Sequence, residues 1–135
     1  MLLFLIYYLI SPILFILLLI ISPFNKKIQT VLLQQQKSIQ EIKSKLKTTK
    51  KRIIIHSASA GEYEQIKPLL KVIDKNIYFT IVTCMSPTIY KSIKKDGLSD
   101  VCCYHPFDFP WNAKSFFDII KPVIYLTARH DIWPI

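Results

Sequence analysis

The side chains that could do acid–base chemistry lie mostly in short polar segments that follow apolar runs. Glu62 ends a turn of small residues, 57–61, which follows the β-branched run 52–55. The dipole of a helix favours the ionised form of a glutamate in its first turn, and a general base must be ionised to accept a proton. Glu62 is therefore a candidate base for a substrate hydroxyl. Comparable polar segments follow later apolar runs at 85–88, 105–108 and 128–134.

The same turn allows a purely structural interpretation of Glu62. Ser59-Ala60-Gly61-Glu62 fits a capping box, in which the serine caps the helix and the glutamate bonds back to a backbone amide. The spacing does not choose between a cap and a base, so both roles stay open. Small side chains here would also let a ligand approach the backbone amides at the start of the helix.

Histidines provide the other candidate chemistry. His56, His105 and His130 each stand at the end of an apolar run. With Asp108 or Asp131 they could ligate zinc, because histidine and aspartate are zinc ligands. The sequence has neither HExxH nor another short ligand spacing, however, so we expect no metal.

Runs with strand and helix character alternate from residue 52 onward. Strands at this spacing, with helices between them, are typical of βαβ units and a parallel sheet. We predict an α/β fold of the Rossmann-like type, with ligands beyond the carboxyl ends of the strands. The sequence has no Gly-x-Gly-x-x-Gly, which excludes a dinucleotide fingerprint. The predicted strands are 52–56, 77–84, 101–104 and 122–127, and the predicted helices are 62–75, 86–95 and 110–120.

The first 22 residues contain no charged side chain and are mostly Leu, Ile, Phe and Tyr. As a helix, a stretch of this length reaches roughly 30 Å, the thickness of a hydrocarbon core. A cleavable signal peptide would need a basic start, a shorter apolar core and an Ala-x-Ala-like exit, and none is present. We therefore predict that 1–22 is a transmembrane anchor, kinked at Ser11 and Pro12.

Positive charge is concentrated directly after this anchor. Residues 24–52 hold nine of the 18 basic residues and one acid, so they carry +8 of the net charge of +9. This asymmetry predicts a cytoplasmic location for the following chain and an anionic membrane surface as partner, rather than nucleic acid. Apolar residues recur at helical spacing, so we predict a basic amphipathic linker helix over 23–51. It is either a solvated connection or a helix lying on anionic lipid.

The composition narrows the class of protein further. Apolar residues make up 51% of the chain and the mean hydropathy is +0.30, which excludes disorder as a description of the whole. Three cysteines are an odd number without metal-type spacing, which argues against a disulfide scaffold. We expect Cys102 and Cys103 to be buried packing residues, and free cysteines suit a reducing cytoplasm.

Four motifs in order resemble those of one enzyme family. The segment 55–62, Ile-His-Ser-Ala-Ser-Ala-Gly-Glu, resembles the strand–turn–helix signature of 3-deoxy-D-manno-octulosonic acid (Kdo) transferases, which attach Kdo to lipid A precursor. The resemblance is close over about 52–134 and loose over the apolar amino terminus. The other matching motifs are Ser86-Pro-Thr88, Tyr104-His-Pro-Phe-Asp108 and Asp131-Ile-Trp-Pro134.

This resemblance implies a GT-B glycosyltransferase on the cytoplasmic face of a bacterial inner membrane, held by a single-pass anchor. It implies transfer of Kdo from CMP-Kdo to lipid IVA in lipopolysaccharide biosynthesis, without a metal or other cofactor. Glu62 would be the catalytic base. The acceptor-binding residues that the resemblance implies are Ser57, Ser59, Ala60, Gly61, Ser86 and Asp131.

The sequence also departs from the family. The family often has Glu in place of Asp131, and Asn after the Trp-Pro pair, where this chain has Ile135. We expect 52–135 to be an incomplete acceptor-binding domain, inactive without a carboxyl-terminal donor-binding domain as partner. The alternatives are a membrane-tethered module that binds an anionic glycolipid without catalysis, and a non-functional remnant.

Overall fold

The computed structural model describes residues 2–128, so Asp131, His130 and the Trp133-Pro134 pair lie outside the described residues. The helices are α1 (Leu2–Ile21), α2 (Lys26–Lys45), α3 (Ala60–Val72), α4 (Pro87–Asp96) and α5 (Pro110–Ile120), with a 3₁₀ turn at Ser22–Phe24. The strands are β1 (Lys51–Ser57), β2 (Tyr78–Cys84), β3 (Val101–Tyr104) and β4 (Ile124–Thr127).

The four strands form one parallel sheet in the order β3-β2-β1-β4. A helix connects each strand to the next. The connections from β1 to β2 and from β2 to β3 run in one direction along the sheet, and the connection from β3 to β4 returns past β2 and β1 to the other edge. The predicted α/β fold with a parallel sheet is confirmed. The strand order reverses between β1 and β4, and open sheets form ligand crevices at such a reversal.

Several predicted boundaries of the α/β fold differ from the structure by one to three residues, and turn chemistry explains the largest difference, at the end of α3. α3 ends at Val72 rather than Lys75, because Asp74 organises a turn instead of continuing the helix. Its side-chain Oδ1 accepts a hydrogen bond from the amide of Asn76 at 2.8 Å, and its carbonyl accepts one from the amide of Tyr78 at 2.9 Å. The chain therefore turns directly into β2.

Apolar side chains pack on both faces of the sheet. Because successive residues of a strand point to opposite faces, Ile53 and Ile55 of β1 join a cluster with α3 and α4, and Ile54 joins a cluster with α5. All three are at most 4% exposed. A strand buried on both faces is typical of the middle of a parallel sheet.

α2 packs against the α/β fold. It contacts β3, the strand at one edge of the sheet. Val31 of this helix enters the cluster on one face and Ile42 enters the cluster on the other, so the helix covers that edge. The predicted linker 23–51 thus contains a helix whose apolar stripe protects backbone groups that an uncovered edge strand would expose.

The other edge of the sheet, β4, carries exposed apolar residues, among them Ile124 and Leu126. At the amino terminus, α1 is continuous through Pro12. Within the described residues, one helical stretch, Leu5–Phe24, is long and apolar enough to cross a membrane by length and composition, with a mean hydropathy of 2.6.

Candidate active site at the carboxyl edge of the sheet

The carboxyl ends of β1, β2 and β3 lie side by side. Ser57 is in register with Cys84, and Cys84 is in register with Tyr104. The polar segments that follow these three strands therefore meet at one edge of the sheet, as the sequence predicted. The fourth predicted segment, 128–134, lies outside the described residues apart from Ala128.

The turn after β1 is held by its own serines. Ser57 is fully buried, and its Oγ donates a hydrogen bond to the carbonyl oxygen of Ser59 at 3.0 Å. Ser59 is the N-cap of α3, and its Oγ accepts a hydrogen bond from the amide of Glu62 at 3.3 Å. Ser57 thus stabilises the turn from its buried side, whereas Ser59, Ala60 and Gly61 are exposed.

Glu62 is buried, at 5% exposure. Its Oε2 accepts a hydrogen bond from the amide of Ala58 at 2.7 Å, so the side chain reaches back over the turn as in a capping box. A Cβ added at Gly61, the preceding residue, would meet nothing within 4 Å. The structural role is therefore present, and it fixes the position of the carboxylate.

Ser86 begins the next helix in the same way. It is the N-cap of α4, its Oγ accepts a hydrogen bond from the amide of Ile89 at 3.4 Å, and Pro87 follows at the first helical position. The predicted acceptor-binding side chain is half-buried and engaged in this cap. At the other end, α4 stops at Gly97 with φ of +62°, which confirms the predicted stop.

Two of the predicted histidines come together below this edge. The rings of His56 and His105 lie 4.4 Å apart between centroids, and His56 is almost fully buried. His56 Nδ1 lies 2.8 Å from Thr83 Oγ1, and His105 Nε2 lies 3.2 Å from the hydroxyl of Tyr125. The network therefore joins side chains of β1, β2 and β4 to the loop after β3.

The sequence did not point to Thr83, Tyr125 or Gln35 as partners of this network. Gln35 of α2 donates a hydrogen bond from Nε2 to the carbonyl oxygen of His105 at 2.7 Å and fixes the loop after β3. The strand period places Thr83 and His56 on defined faces of the sheet, but the neighbours of each side chain depend on strand order. No local motif carries that information.

Burial, and then the charge of neighbouring His56, lower the pKa of His105 from 6.5 to about 4. His105 is therefore neutral at physiological pH. In the neutral tautomer that fits its surroundings, Nδ1–H donates to the carbonyl oxygen of Pro106 at 3.1 Å and Nε2 accepts from the Tyr125 hydroxyl. The neutral ring thus links the carbonyl of Pro106 to the hydroxyl of Tyr125 by hydrogen bonds.

Two cysteines near the site, Cys102 and Cys103, are kept in the thiol form. Cys84, Cys102 and Cys103 are free and buried, as predicted for the latter two. A hydrogen bond with Cys84, together with burial, raises the pKa of Cys102, and burial raises that of Cys103. Neither thiol supplies a thiolate nucleophile at neutral pH. Residues 2–128 also contain no group of three His, Cys, Asp or Glu side chains that could hold a metal ion.

A cavity of about 150 Å³ lies beside the carboxyl ends of β2 and β3. Lys27, from the first turn of α2, lines it and brings a positive charge to the predicted site. Met85 and His105 line the cavity from the segments after β2 and β3. The remaining lining residues are Ile28, Val31, Cys84, Tyr104 and Phe107.

The fold is an α/β domain of the Rossmann-like type with a candidate site at the carboxyl edge of its sheet, and comparison with known proteins gives the family. The family model described as 3-Deoxy-D-manno-octulosonic-acid transferase (kdotransferase) matches residues 21–135. The chain therefore belongs to the Kdo transferase family, as its motifs predicted.

The curated 3-deoxy-D-manno-octulosonic acid transferase of Aquifex aeolicus (strain VF5) is similar to this chain. The two are 32% identical over 95 residues, which cover 68% of this chain and 26% of the relative. The chain thus spans about a quarter of the length of that relative. No solved structure matches the chain.

Proposed function

We propose that this chain is the acceptor-binding part of a GT-B glycosyltransferase that moves Kdo from CMP-Kdo to lipid A precursor (lipid IVA) in lipopolysaccharide biosynthesis. Membership of the Kdo transferase family supports the sugar and the reaction class. The donor CMP-Kdo would be held by a separate carboxyl-terminal domain. Chemistry would need no metal or other cofactor, because a carboxylate serves as the base and CMP is the leaving group.

The observation that carries the proposal is the position of Glu62. Its carboxylate is held by the Ala58 amide at the carboxyl edge of the sheet, in the first turn of α3 and directly after Gly61, where an added Cβ would meet nothing within 4 Å. In the proposed step it takes the proton of an acceptor hydroxyl. The hydroxyl oxygen forms a bond to the anomeric carbon of Kdo, and the bond to CMP breaks with its electron pair leaving on CMP.

Charge near the site suits the acceptor. Lipid A precursor is a phosphorylated glycolipid in a membrane, and Lys27 lines the cavity at the strand ends. Lys27 belongs to the segment 24–52, which carries a net charge of +8. Basic residues next to a bilayer are attracted to anionic headgroups by about 1 kcal/mol each. We therefore place the chain at the cytoplasmic face of the bacterial inner membrane, attached through α1.

Glu62→Gln in the complete gene product tests the base. Glutamine keeps an oxygen that can accept the Ala58 hydrogen bond, so the cap survives while basicity is lost. We expect CMP-Kdo transfer to lipid IVA to fall by about 10²–10⁴-fold, the usual contribution of general-base catalysis. The control is Glu64→Gln on the same helix, whose exposed carboxylate pairs with Lys67.

Transfer within about tenfold of wild type for Glu62→Gln would reduce Glu62 to a cap. The family's chemistry would then need another base, or the chain would be the glycolipid-binding module without catalysis. The 135-residue chain assayed alone should show no transfer, and activity of this chain alone would overturn the assignment of the donor site to a separate domain.

A further inference from the structure

Two groups of contacts tie α1 to the loop between β3 and α5. The Tyr7 hydroxyl donates to the backbone oxygen of Asp108 at 2.7 Å and lies 3.1 Å from its Oδ1. The ring of Phe15 meets Phe109 edge-on at 5.2 Å and Trp111 at 5.6 Å, and the latter two rings stack on each other. Tyr7 and Phe15 are about 12 Å apart along a helix. These two attachments lay α1 alongside the domain.

The side of α1 that faces the domain is a single helical stripe. From Leu5 to Ser22, the less exposed side chains recur at spacings of four, four, three and four residues, which places them on one face of a helix. Both serines of the segment lie on this stripe, and Ser11 is fully buried. The stripe consists of Tyr7, Ser11, Phe15, Leu18 and Ser22.

From Leu5 to Ile21, the rest of the circumference of α1 is mostly apolar and exposed. No charged residue interrupts it, and Lys26 and Lys27 follow immediately after the 3₁₀ turn. An apolar surface of this extent needs a nonpolar partner, and the neighbouring lysines select one with anionic headgroups. The exposed side chains include Leu5, Leu9, Ile13, Ile16, Leu17 and Ile20.

These contacts conflict with an α1 that stands across a bilayer. If Lys26 marked the cytoplasmic headgroups, Tyr7 would lie about 28 Å away, at the opposite surface of the hydrocarbon core. Asp108, which contacts Tyr7, would be drawn through the membrane with the irregular loop around it. A charged side chain and non-helical backbone exposed to lipid are not tolerated there.

We propose that α1 lies in the plane of the cytoplasmic leaflet, with its serine stripe on the domain and its apolar side among the acyl chains. The lipid-facing side carries no charged residue, and Lys26 and Lys27, just after the helix, would stay at the headgroups. Exposed Trp111 extends the same surface, because tryptophan is favoured at that depth. A monotopic attachment thus takes the place of the spanning anchor predicted from hydropathy.

This orientation rests on the proposed membrane attachment, and it also bears on the proposed function. The loop that α1 holds begins at His105, directly after the carboxyl end of β3. A flat α1 therefore keeps the carboxyl edge of the sheet near the headgroups, within reach of a lipid-anchored acceptor. A spanning α1 would have no contact with this loop.

Fluorescence quenching by brominated lipids tests the depth of Trp111. In the Trp133→Phe variant, Trp111 is the single tryptophan of the chain. The full chain is reconstituted into vesicles of zwitterionic and anionic phospholipid that carry bromine near the headgroup end of the acyl chains. We expect emission to fall by about half, as for a side chain at the interface. The control is Trp111→Phe, which reports the contribution of Trp133. Emission unchanged by bromine would overturn the proposal.

Cysteine labelling tests the orientation independently. The native cysteines are buried, so Leu2→Cys offers a new site for a membrane-impermeant maleimide. We expect labelling from the cytoplasmic side alone, as for Lys43→Cys on α2. Labelling of Leu2→Cys from the outside would prove a spanning helix and refute the flat one. Failure of the chain to sediment with vesicles would refute attachment itself, whereas the Kdo transfer assay reports the proposed chemistry separately.

Discussion

Acidification should destabilise the folded chain through one side chain, His105. Its pKa is lowered from 6.5 to about 4 in the folded state by burial and by His56. The unfolded chain therefore takes up a proton below about pH 6.5, whereas the folded chain resists it until about pH 4. Stability from this group is fully present above pH 6.5 and is lost as the pH falls towards 4.

The magnitude follows from the shift. A displacement from 6.5 to about 4 corresponds to a total loss of roughly 3 kcal/mol, and about 2 kcal/mol of it is lost between pH 7.5 and pH 5. The cause is the burial of the ring and then the charge of neighbouring His56, both of which disfavour the protonated form. Protonation would also remove the acceptor of the hydrogen bond from Tyr125, 3.2 Å away. The other groups close to the ring are His56, Phe116 and the carbonyl of Pro106.

Urea unfolding of the chain in mild nonionic detergent, followed by tryptophan fluorescence, measures this loss. With a slope of about 2 kcal/mol per molar urea, the midpoint should fall by about 1 M between pH 7.5 and pH 5. His105→Gln should be less stable at pH 7.5 but lose most of this pH dependence. His130→Gln should retain it. An unchanged pH dependence in His105→Gln, or a histidine titration by NMR that gives His105 a pKa near 6.5, would refute the reasoning.

Two further substitutions test how α2 is built into the fold. Ile42→Ala removes a side chain that is 1% exposed and should lower the free energy of unfolding by about 2–5 kcal/mol. The control Lys43→Ala, at an exposed position, should change the free energy of unfolding little. An equally small effect of both substitutions would mean that α2 is a linker that does not pack on the sheet. Arg52 donates to the carbonyl oxygens of Ile120 at 2.9 Å and Leu46 at 3.4 Å, at the ends of α5 and α2. Arg52→Met should therefore cost about 1.5–3 kcal/mol in urea unfolding, and a cost no larger than that of exposed Lys51→Met would show that these bonds contribute nothing.

Local signals predicted the elements of the α/β fold well. The capping serines Ser59 and Ser86 and the glycine after α4 act through hydrogen bonds and backbone angles within a few residues, so the sequence alone contains them. The boundary at Val72 was missed because the apolar period continues to Ile73, while Asp74 bonds the backbone into a turn. A side chain that bonds the backbone in this way acts locally, but it leaves no periodic pattern in the sequence from which the helix end could be predicted.

The contacts between elements that are distant along the chain could not be predicted from the sequence. The amphipathic pattern of 23–51 predicted a helix, but an apolar stripe looks the same whether it faces lipid, solvent or a sheet edge. The strand order determines which surface the stripe contacts, because β3 lies at the edge of the sheet and α2 covers that edge. The same holds for the histidines, which the sequence placed at strand ends without showing that His105 would reach both His56 and Tyr125.

The loop after β3 joins α1 to the candidate site. His105, at its start, bonds Tyr125 and is held by Gln35, while Asp108, three residues later, is held by Tyr7 of α1. Phe15 fixes the same loop through Phe109. Hydropathy averages over α1 cannot reveal this link, because they count apolar residues without regard to which side carries the serines. In the structure, the apolar helix α1 thus also contacts the loop that forms one wall of the candidate site.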